Sequence, residues 1–407
     1  MEKDSPHKSY ARIYTFIFLL IVTLSLSLLS LNLKNITFGA GADEGYYLAY
    51  ADYISHKGIG GYANLFSSYL GNQKNWLFPN PLRAGFILLS SLFVTIFGSD
   101  FFSLTYLSLF SFCIFLFVCF YFTRRYFDQK IAVLLTLLLA FSPLNMAMAR
   151  RALTESTLNL FSILSIWLFF DLLKHRSNRK YAIFIFVYAF TILVKETAVL
   201  LSSVFVVYLV FYKFVFKKRV NLADFLSATL IPFTIVGFIY INLSGGLSRI
   251  IDTTRIYLAS PVTNQYALLF GSGPWFRYII DYVILSPWVA VFSIGFLFYY
   301  LLSKEYDEKI VYFLLVLIVP FLVFNIFTKN IRYVMVLDMP MRLFSIIILK
   351  KLLELRFPKH AFTLLIALVI TLSMLDYFNF QNLFLKESIY DPVSFLLLRA
   401  KHIIPYQ

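Results

Sequence analysis

Asp43 and Glu44 stand side by side in Gly39-Ala40-Gly41-Ala42-Asp43-Glu44-Gly45-Tyr46-Tyr47, just past an apolar run from Ile13 to Leu33. An ionisable pair beside a membrane surface is costly if idle, so it is read first as a site. A carboxylate in that place can take the proton of an incoming hydroxyl. The competing reading is a pair of ordinary solvated loop acids. Other charges could join them: Arg83 after Pro79-Asn80-Pro81-Leu82, Arg150, Arg151 and Glu155 in one turn, and Lys195-Glu196 in another. Arg249, Arg255, Arg277, Lys329, Arg332 and Arg342 follow. Acids and bases meeting at a membrane surface suit a substrate with an anionic head and a lipid tail, since Arg grips phosphate with a planar fork and Lys as a point charge.

The elements that carry these residues are set by composition. Of 407 residues, 60% are hydrophobic and only 14% charged, where soluble domains hold about a quarter charged. The mean hydropathy is +0.77. Apolar runs of about 20 residues recur along the chain, which specifies an all-α integral membrane protein rather than a barrel of alternating strands. The expected spans are 12–33, 101–123, 131–149, 153–172, 180–194, 197–215, 223–243, 278–302, 310–328, 333–349 and 361–378, about eleven transmembrane helices. The charged start, Met1 to Arg12, lacks a cleavage site after its apolar run, so the first helix reads as uncleaved. Cys113 and Cys119 lie inside one apolar run and read as buried small residues, not a disulfide or a metal site.

Leu82–Gly98 is also apolar, and charge decides its place. If it stays at the outer leaflet, Arg124-Arg125, Lys174 to Lys180, Lys213 to Arg219 and Lys350 to Lys359 all fall inside with the amino terminus. If it spans, the positive-inside rule fails at each cluster. The net charge of +15 is then loop charge and not a nucleic-acid footprint. The expected organisation is one transmembrane domain, 1–378, with outer loops at about 34–100 and 243–277, the first carrying interfacial helices, and a short outer tail, 379–407. The two sequons, at Asn35 and Asn242, lie close to the expected bilayer edge.

Each charged feature has a bland counterpart. Arg150-Arg151 with Glu155 could be a local i, i+4 pair. Lys195-Glu196 could be a turn that happens to be charged. Asp338 and Arg342, four apart, could neutralise each other. Trp76, Trp275 and Trp288 fit an interfacial belt.

The order of motifs resembles a known family. Asp43-Glu44 follows the first helix; Phe78-Pro79-Asn80-Pro81-Leu82, Arg124-Arg125-Tyr126-Phe127 and Ser142-Pro143 come next. Leu193-Val194-Lys195-Glu196, Gly273-Pro274-Trp275-Phe276-Arg277-Tyr278, Ser286-Pro287-Trp288 and Lys329-Asn330-Ile331-Arg332-Tyr333 complete the series. The chain is similar, from residue 12 to about 345, to the polyprenyl-phosphate-sugar-dependent glycosyltransferases of the GT-C fold, whose best-known members are protein O-mannosyltransferases and lipid A aminoarabinose transferases. The resemblance implies that Asp43 is the catalytic base and Glu44 its paired acid. Glu155 matches a second acidic position where relatives more often carry Asp. Lys195, Arg277 and Arg332 match basic positions that hold the carrier phosphate, with Arg151 beside them. Asn80 stands where relatives can carry Lys, so Arg83 would substitute. No soluble lumenal domain is read here, so a protein acceptor does not follow.

The expected function is transfer of a hexose or pentose from a polyprenyl-phosphate carrier to a lipid, glycan or protein acceptor on the extracytoplasmic face, with the amino terminus cytoplasmic. Asp43 and Glu44 could hold Mg²⁺ or Mn²⁺, though an acidic pair without a His cluster is a weak metal signal. The alternative is a transporter or flippase for an anionic lipid or sugar, which should carry ionisable groups and broken helices near the bilayer midplane. A non-catalytic scaffold would tolerate Asp43→Asn. The sugar, the acceptor and the carrier length are not legible.

Overall fold

The computed structural model describes residues 6–31, 33, 43–263, 268, 271, 273–303, 306–389, 391–394 and 396, which form helices with no strand among them. The sequon at Asn35, the segment 39–42 and the tail beyond 396 lie outside the described residues.

Helix α1 (Pro6–Ser30) leads into three helices of the first loop: α2 (Asp43–Lys57), α3 (Tyr62–Gly71) and α4 (Ala84–Phe97). The bundle continues with α5 (Phe101–Tyr126), α6 (Gln129–Ala140), α7 (Pro143–Ala149), α8 (Glu155–Lys174) and α9 (Asn178–Val194). After it come α10 (Leu201–Phe214), α11 (Leu222–Ala228), α12 (Leu230–Ser244) and α13 (Leu247–Thr263). The last five are α14 (Arg277–Leu285), α15 (Pro287–Ser303), α16 (Glu308–Phe324), α17 (Asp338–Arg356) and α18 (Ala361–Asn379).

All eleven expected spans are largely helical, but among the described residues six stretches are long and apolar enough to cross a membrane by length and composition. They are Arg12–Ser30, Phe101–Tyr126, Glu155–Lys174, Glu196–Phe214, Leu222–Ser244 and Ala361–Lys386. A seventh is the pair α6 and α7 if read as one span bent by 61°. The bend has a local cause: Ser142 caps α7 by accepting from the Asn145 amide, and Pro143 occupies the first turn, where its missing N–H costs nothing. The others fall short for different reasons. Residues 278–302 break at Ser286-Pro287, because Pro disfavours helical backbone in the residue before it. Helix α17 carries Asp338, Arg342 and the basic run at its far end.

Helix α4 spans 14 residues. At 1.5 Å per residue that is about 21 Å, short of the roughly 30 Å hydrocarbon core. It packs against α2, α5 and α9. Its approach to α9 requires Gly85: a Cβ there would lie 2.9 Å from the backbone of Leu193 and Val194. The proline segment before α4 is held by tyrosines. Tyr50 donates to the Pro79 carbonyl at 3.1 Å, Tyr62 to Pro81 at 2.8 Å, and Tyr240 to Leu82. These carbonyls have no ladder to join, and the phenols satisfy them while fixing the backbone that ends at Arg83.

The second expected loop is largely helical, since α13 fills 247–263 and packs on α3. Arg249 donates to the carbonyls of Ala63 at 3.3 Å and Ser244 at 2.9 Å, which ties the two loops together. The tail folds back as well: after a π-helical turn at Phe380–Lys386, Asp391 and Ser394 reach Arg277. Cys119 is buried, Cys113 half-buried, and both are free thiols.

Candidate active site

Acidic residues begin several helices, and those starts converge. Asp43 and Glu44 open α2, Glu155 opens α8, Glu196 opens the 3₁₀ turn leading into α10, and Asp338 opens α17. A carboxylate in the first turn is favoured by the unpaired N–H groups and the positive end of the helix dipole. Four of these acids meet a cation from a distant part of the chain.

Glu155 lies 2.9 Å from Lys195 Nζ, and its other oxygen accepts from the Thr154 hydroxyl at 3.3 Å. Lys195 also lies over the Tyr333 ring, 4.8 Å from its centre. Glu196 receives a forked pair of bonds from Arg83, Nε and Nη2 each at 3.3 Å, while Arg83 Nη1 donates to the Tyr47 hydroxyl. Glu44 is buried and accepts from Arg151 Nε. Asp43 is different: its side chain is 41% exposed and its partner, Arg332 Nη1, is 4.0 Å away. Arg332 is aimed by Asn330, whose side-chain oxygen accepts from the Arg332 amide at 3.0 Å and from its Nε at 3.2 Å.

Burial pushes the Lys195 ammonium below the usual lysine range; the nearby Arg83 and Arg332 push the same way, and the Glu155 carboxylate opposes them. Burial raises the Tyr47 phenol well above its ordinary value, although Arg83 pulls it down, so Tyr47 stays a neutral hydroxyl.

Beside this cluster is a small cleft, partly open to solvent. Helix α8 contributes Glu155, Leu158, Asn159 and Ser162 to its lining, beside Leu200, Pro320, Phe324 and Val336. Arg332 and Tyr333 line it as well. The cleft is therefore mostly apolar, with a few polar and charged groups among its lining.

The structure thus brings together Asp43, Glu44, Glu155, Arg83, Arg151, Lys195 and Arg332. It gives Arg277 other partners. That side chain is fully buried, with Nη2 donating to Asp391 at 3.2 Å and to Ser394 at 2.7 Å, and Asp281 4.0 Å from Nε. The turn that could have held a local Arg151–Glu155 pair instead sends Arg151 to Glu44 and Glu155 to Lys195. Asp338 and Arg342 do pair, at 2.9 Å, and Arg342 also binds Asp376 at 2.6 Å. Tyr47, Tyr333 and Asn159 were not singled out by sequence. Tyr47 could have been, since it stands one helical turn after Asp43. Asn159 carries no charge to draw attention.

Among the described residues no three His, Cys, Asp or Glu side chains gather to hold a metal ion. Glu44 pairs with Arg151, and Asp43 faces Arg332 at 4.0 Å.

Residues 81–240 match the family model for dolichyl-phosphate-mannose-protein mannosyltransferase. Among solved structures, the Archaeoglobus fulgidus oligosaccharyltransferase in complex with Zn and sulfate aligns with TM-score 0.60 at 16% identity, covering 89% of this chain and 53% of that one. The oligosaccharyltransferase AglB of the same organism, in complex with an inhibitory peptide and a dolichol-phosphate, gives TM-score 0.60 at 14% identity over 95% and 57%. ArnT from Cupriavidus metallidurans, bound to undecaprenyl phosphate, gives 0.49 at 14% identity over 96% and 75%. No curated protein sequence matches the chain significantly. The chain is an integral membrane protein of the GT-C fold. It resembles the polyprenyl-phosphate-dependent glycosyltransferases, and it spans a little over half the length of the oligosaccharyltransferases it matches.

Proposed function

We propose that this protein is a membrane glycosyltransferase that moves one sugar from a polyprenyl-phosphate carrier to the hydroxyl of an acceptor. One observation carries the reading: Asp43, the most open carboxylate of the cluster, faces Arg332, and Arg332 lines a mostly apolar cleft that also holds Glu155, Asn159 and Ser162. A lipid-linked sugar phosphate has the same mixture. Its prenyl chain suits the apolar lining, its sugar the polar α8 residues, and its phosphate the cations Lys195 and Arg332. The carrier class is supported by the matched family model and by the dolichol-phosphate bound in AglB.

In the proposed reaction the acceptor oxygen attacks the anomeric carbon and its proton passes to the Asp43 carboxylate. The bond from that carbon to the phosphate oxygen breaks, and the electron pair leaves with the polyprenyl phosphate. Lys195, Arg332 and Arg83 stabilise the charge that develops on the leaving oxygen. A positioned general base typically contributes about 10²–10⁴-fold. Glu44, held by Arg151, fixes the start of α2 and so the direction of Asp43.

The proposed side is extracytoplasmic, with the amino terminus inside. Glu155 begins α8 and Lys174 ends it, 20 residues on. That is about 30 Å, one hydrocarbon thickness. The far end gathers Arg125, Lys180 and Arg176 on Asp171 and Asp224, the cation-rich pattern of a cytoplasmic face. Single cysteines at Gly45 and Arg125, in a background lacking Cys113 and Cys119, should label from opposite sides; labelling of both from one side refutes this orientation.

The activity test is transfer from radiolabelled polyprenyl-phosphate sugars in membranes that contain the wild type or Asp43→Asn at matched levels. Transfer by the wild type that collapses in the variant is the expected result. Retained transfer in the variant removes Asp43 from the mechanism.

A further inference from the structure

A line of buried hydrogen bonds runs from the core of the bundle to the cleft. Arg342 Nε donates to both oxygens of Asp338, at 3.0 and 2.9 Å. Asp338 Oδ2 accepts from Asn145 Nδ2 at 2.8 Å, and Asn145 Oδ1 accepts from Asn159 Nδ2 at 3.2 Å. All four side chains are at least 95% buried, at 0, 1, 1 and 5% exposure from Arg342 to Asn159. Asn159 Oδ1, the last atom, has no hydrogen-bond partner among the described residues, and Asn159 lines the cleft.

The line has a direction. A carboxylate bonded to arginine only accepts, so Asn145 must turn its NH₂ to Asp338 and its oxygen to Asn159. Asn159 must then give its NH₂ to Asn145, which leaves its carbonyl oxygen as an unmet acceptor. Reversing either amide would set oxygen against oxygen or N–H against N–H. The charge pair at one end thereby fixes the chemistry offered at the other.

A buried acceptor without a donor is unfavourable until something supplies one. Glu155, Asn159 and Ser162 are spaced i, i+4 and i+7 on α8 and form one polar stripe. These three residues line a cleft whose other lining is mostly apolar, a mixture suited to a sugar ring with its hydroxyls and C–H groups. We infer that Asn159 is a specificity-determining residue that accepts a hydrogen bond from one hydroxyl of the donor sugar, with Asn145 and Asp338 as positioning residues that hold its amide in the accepting orientation. This rests on the glycosyltransferase reading above.

The test uses full-length enzyme in membranes with the polyprenyl-phosphate sugar that the wild type transfers and its set of monodeoxy analogues. In the wild type, one analogue should lose about tenfold or more in kcat/KM. Asn159→Ala should lower the parent donor to the level of that analogue, bring their ratio near one, and leave the other ratios unchanged. Asn145→Leu removes the constraint on the Asn159 amide and should blunt the same ratio; it carries the test if Asn159→Ala fails to fold. A variant that is active and keeps the wild-type ratio at every position overturns the inference while the glycosyltransferase reading stands. A wild type that transfers no polyprenyl-phosphate sugar overturns both.

Discussion

Lys195 Nζ lies 2.9 Å from a Glu155 oxygen, with both side chains shut away from solvent and 40 residues of chain between them. Neither group has water to fall back on, so each depends on the other. Glu155→Gln and Lys195→Met are each expected to destabilise by about 3–5 kcal/mol, because each leaves the other charge buried and unpaired. The double variant should recover much of that loss. Thermal melting of the purified protein in detergent would check this, and equal melting points for all four forms would show that the pair is not coupled.

Asp43 should behave in the opposite way. Its side chain is 41% exposed and its cationic partner is 4.0 Å away, so Asp43→Asn should leave the melting point within a degree or two. Transfer should nevertheless fall by about 10²–10⁴-fold, the usual contribution of a positioned base. Parallel melting and rate measurements would separate the effects.

The depressed Lys195 value predicts a pH dependence in two parts. Between that value and the ordinary 10.5, the unfolded chain binds one more proton than the folded one, so this group makes stability rise with pH across the window. Over the same window the folded protein loses a cation near the proposed phosphate position. Donor KM should therefore climb with pH before an ordinary lysine would titrate. In Lys195→Arg, which retains its charge, that limb should flatten. Donor titrations between about pH 7 and about pH 10 read this directly.

Gly85 sets the distance from α4 to α9 just before Lys195. Gly85→Ala would bring a Cβ to 2.9 Å from the Leu193 and Val194 backbone, which cannot swing aside as a side chain would. An overpacking cost of about 1–3 kcal/mol is expected. The shift should also loosen the Arg83–Glu196 fork, so donor KM should rise along with the fall in melting point. A fall in melting point with unchanged KM would separate the helix contact from the site.

Arg277 and Arg332 should part company although both match basic positions in the sequence. Arg277 is fully buried and tied to the tail through Asp391, so Arg277→Met should act mainly on folding. Arg332→Met should act mainly on donor KM, since Arg332 lines the cleft and faces Asp43. The ratio of KM change to melting-point change in the two variants decides this.

How far the site was legible varies residue by residue. Asp43 and Glu44 drew attention because two adjacent acids past a long apolar run have few idle explanations. Their division of labour was hidden: one residue's difference along α2 turns Glu44 inward to Arg151 and leaves Asp43 facing Arg332. Lys195-Glu196 read as one charged turn, yet adjacent residues do not face each other. Lys195 goes to Glu155 and Glu196 goes to Arg83, 113 positions away. Asn145 and Asn159 gave no signal because their role exists only through the bonds between them.

By itself, the sequence determined that this is a helical membrane protein. That property is local, because apolar run length is measured against a bilayer of fixed thickness. Only the tertiary structure decided which acid meets which base, which arginine belongs to the tail, and which amide oxygen is left facing the cleft. Those depend on how far each helix is rotated and how closely its neighbours approach, and that is settled by packing contacts between segments far apart in the chain.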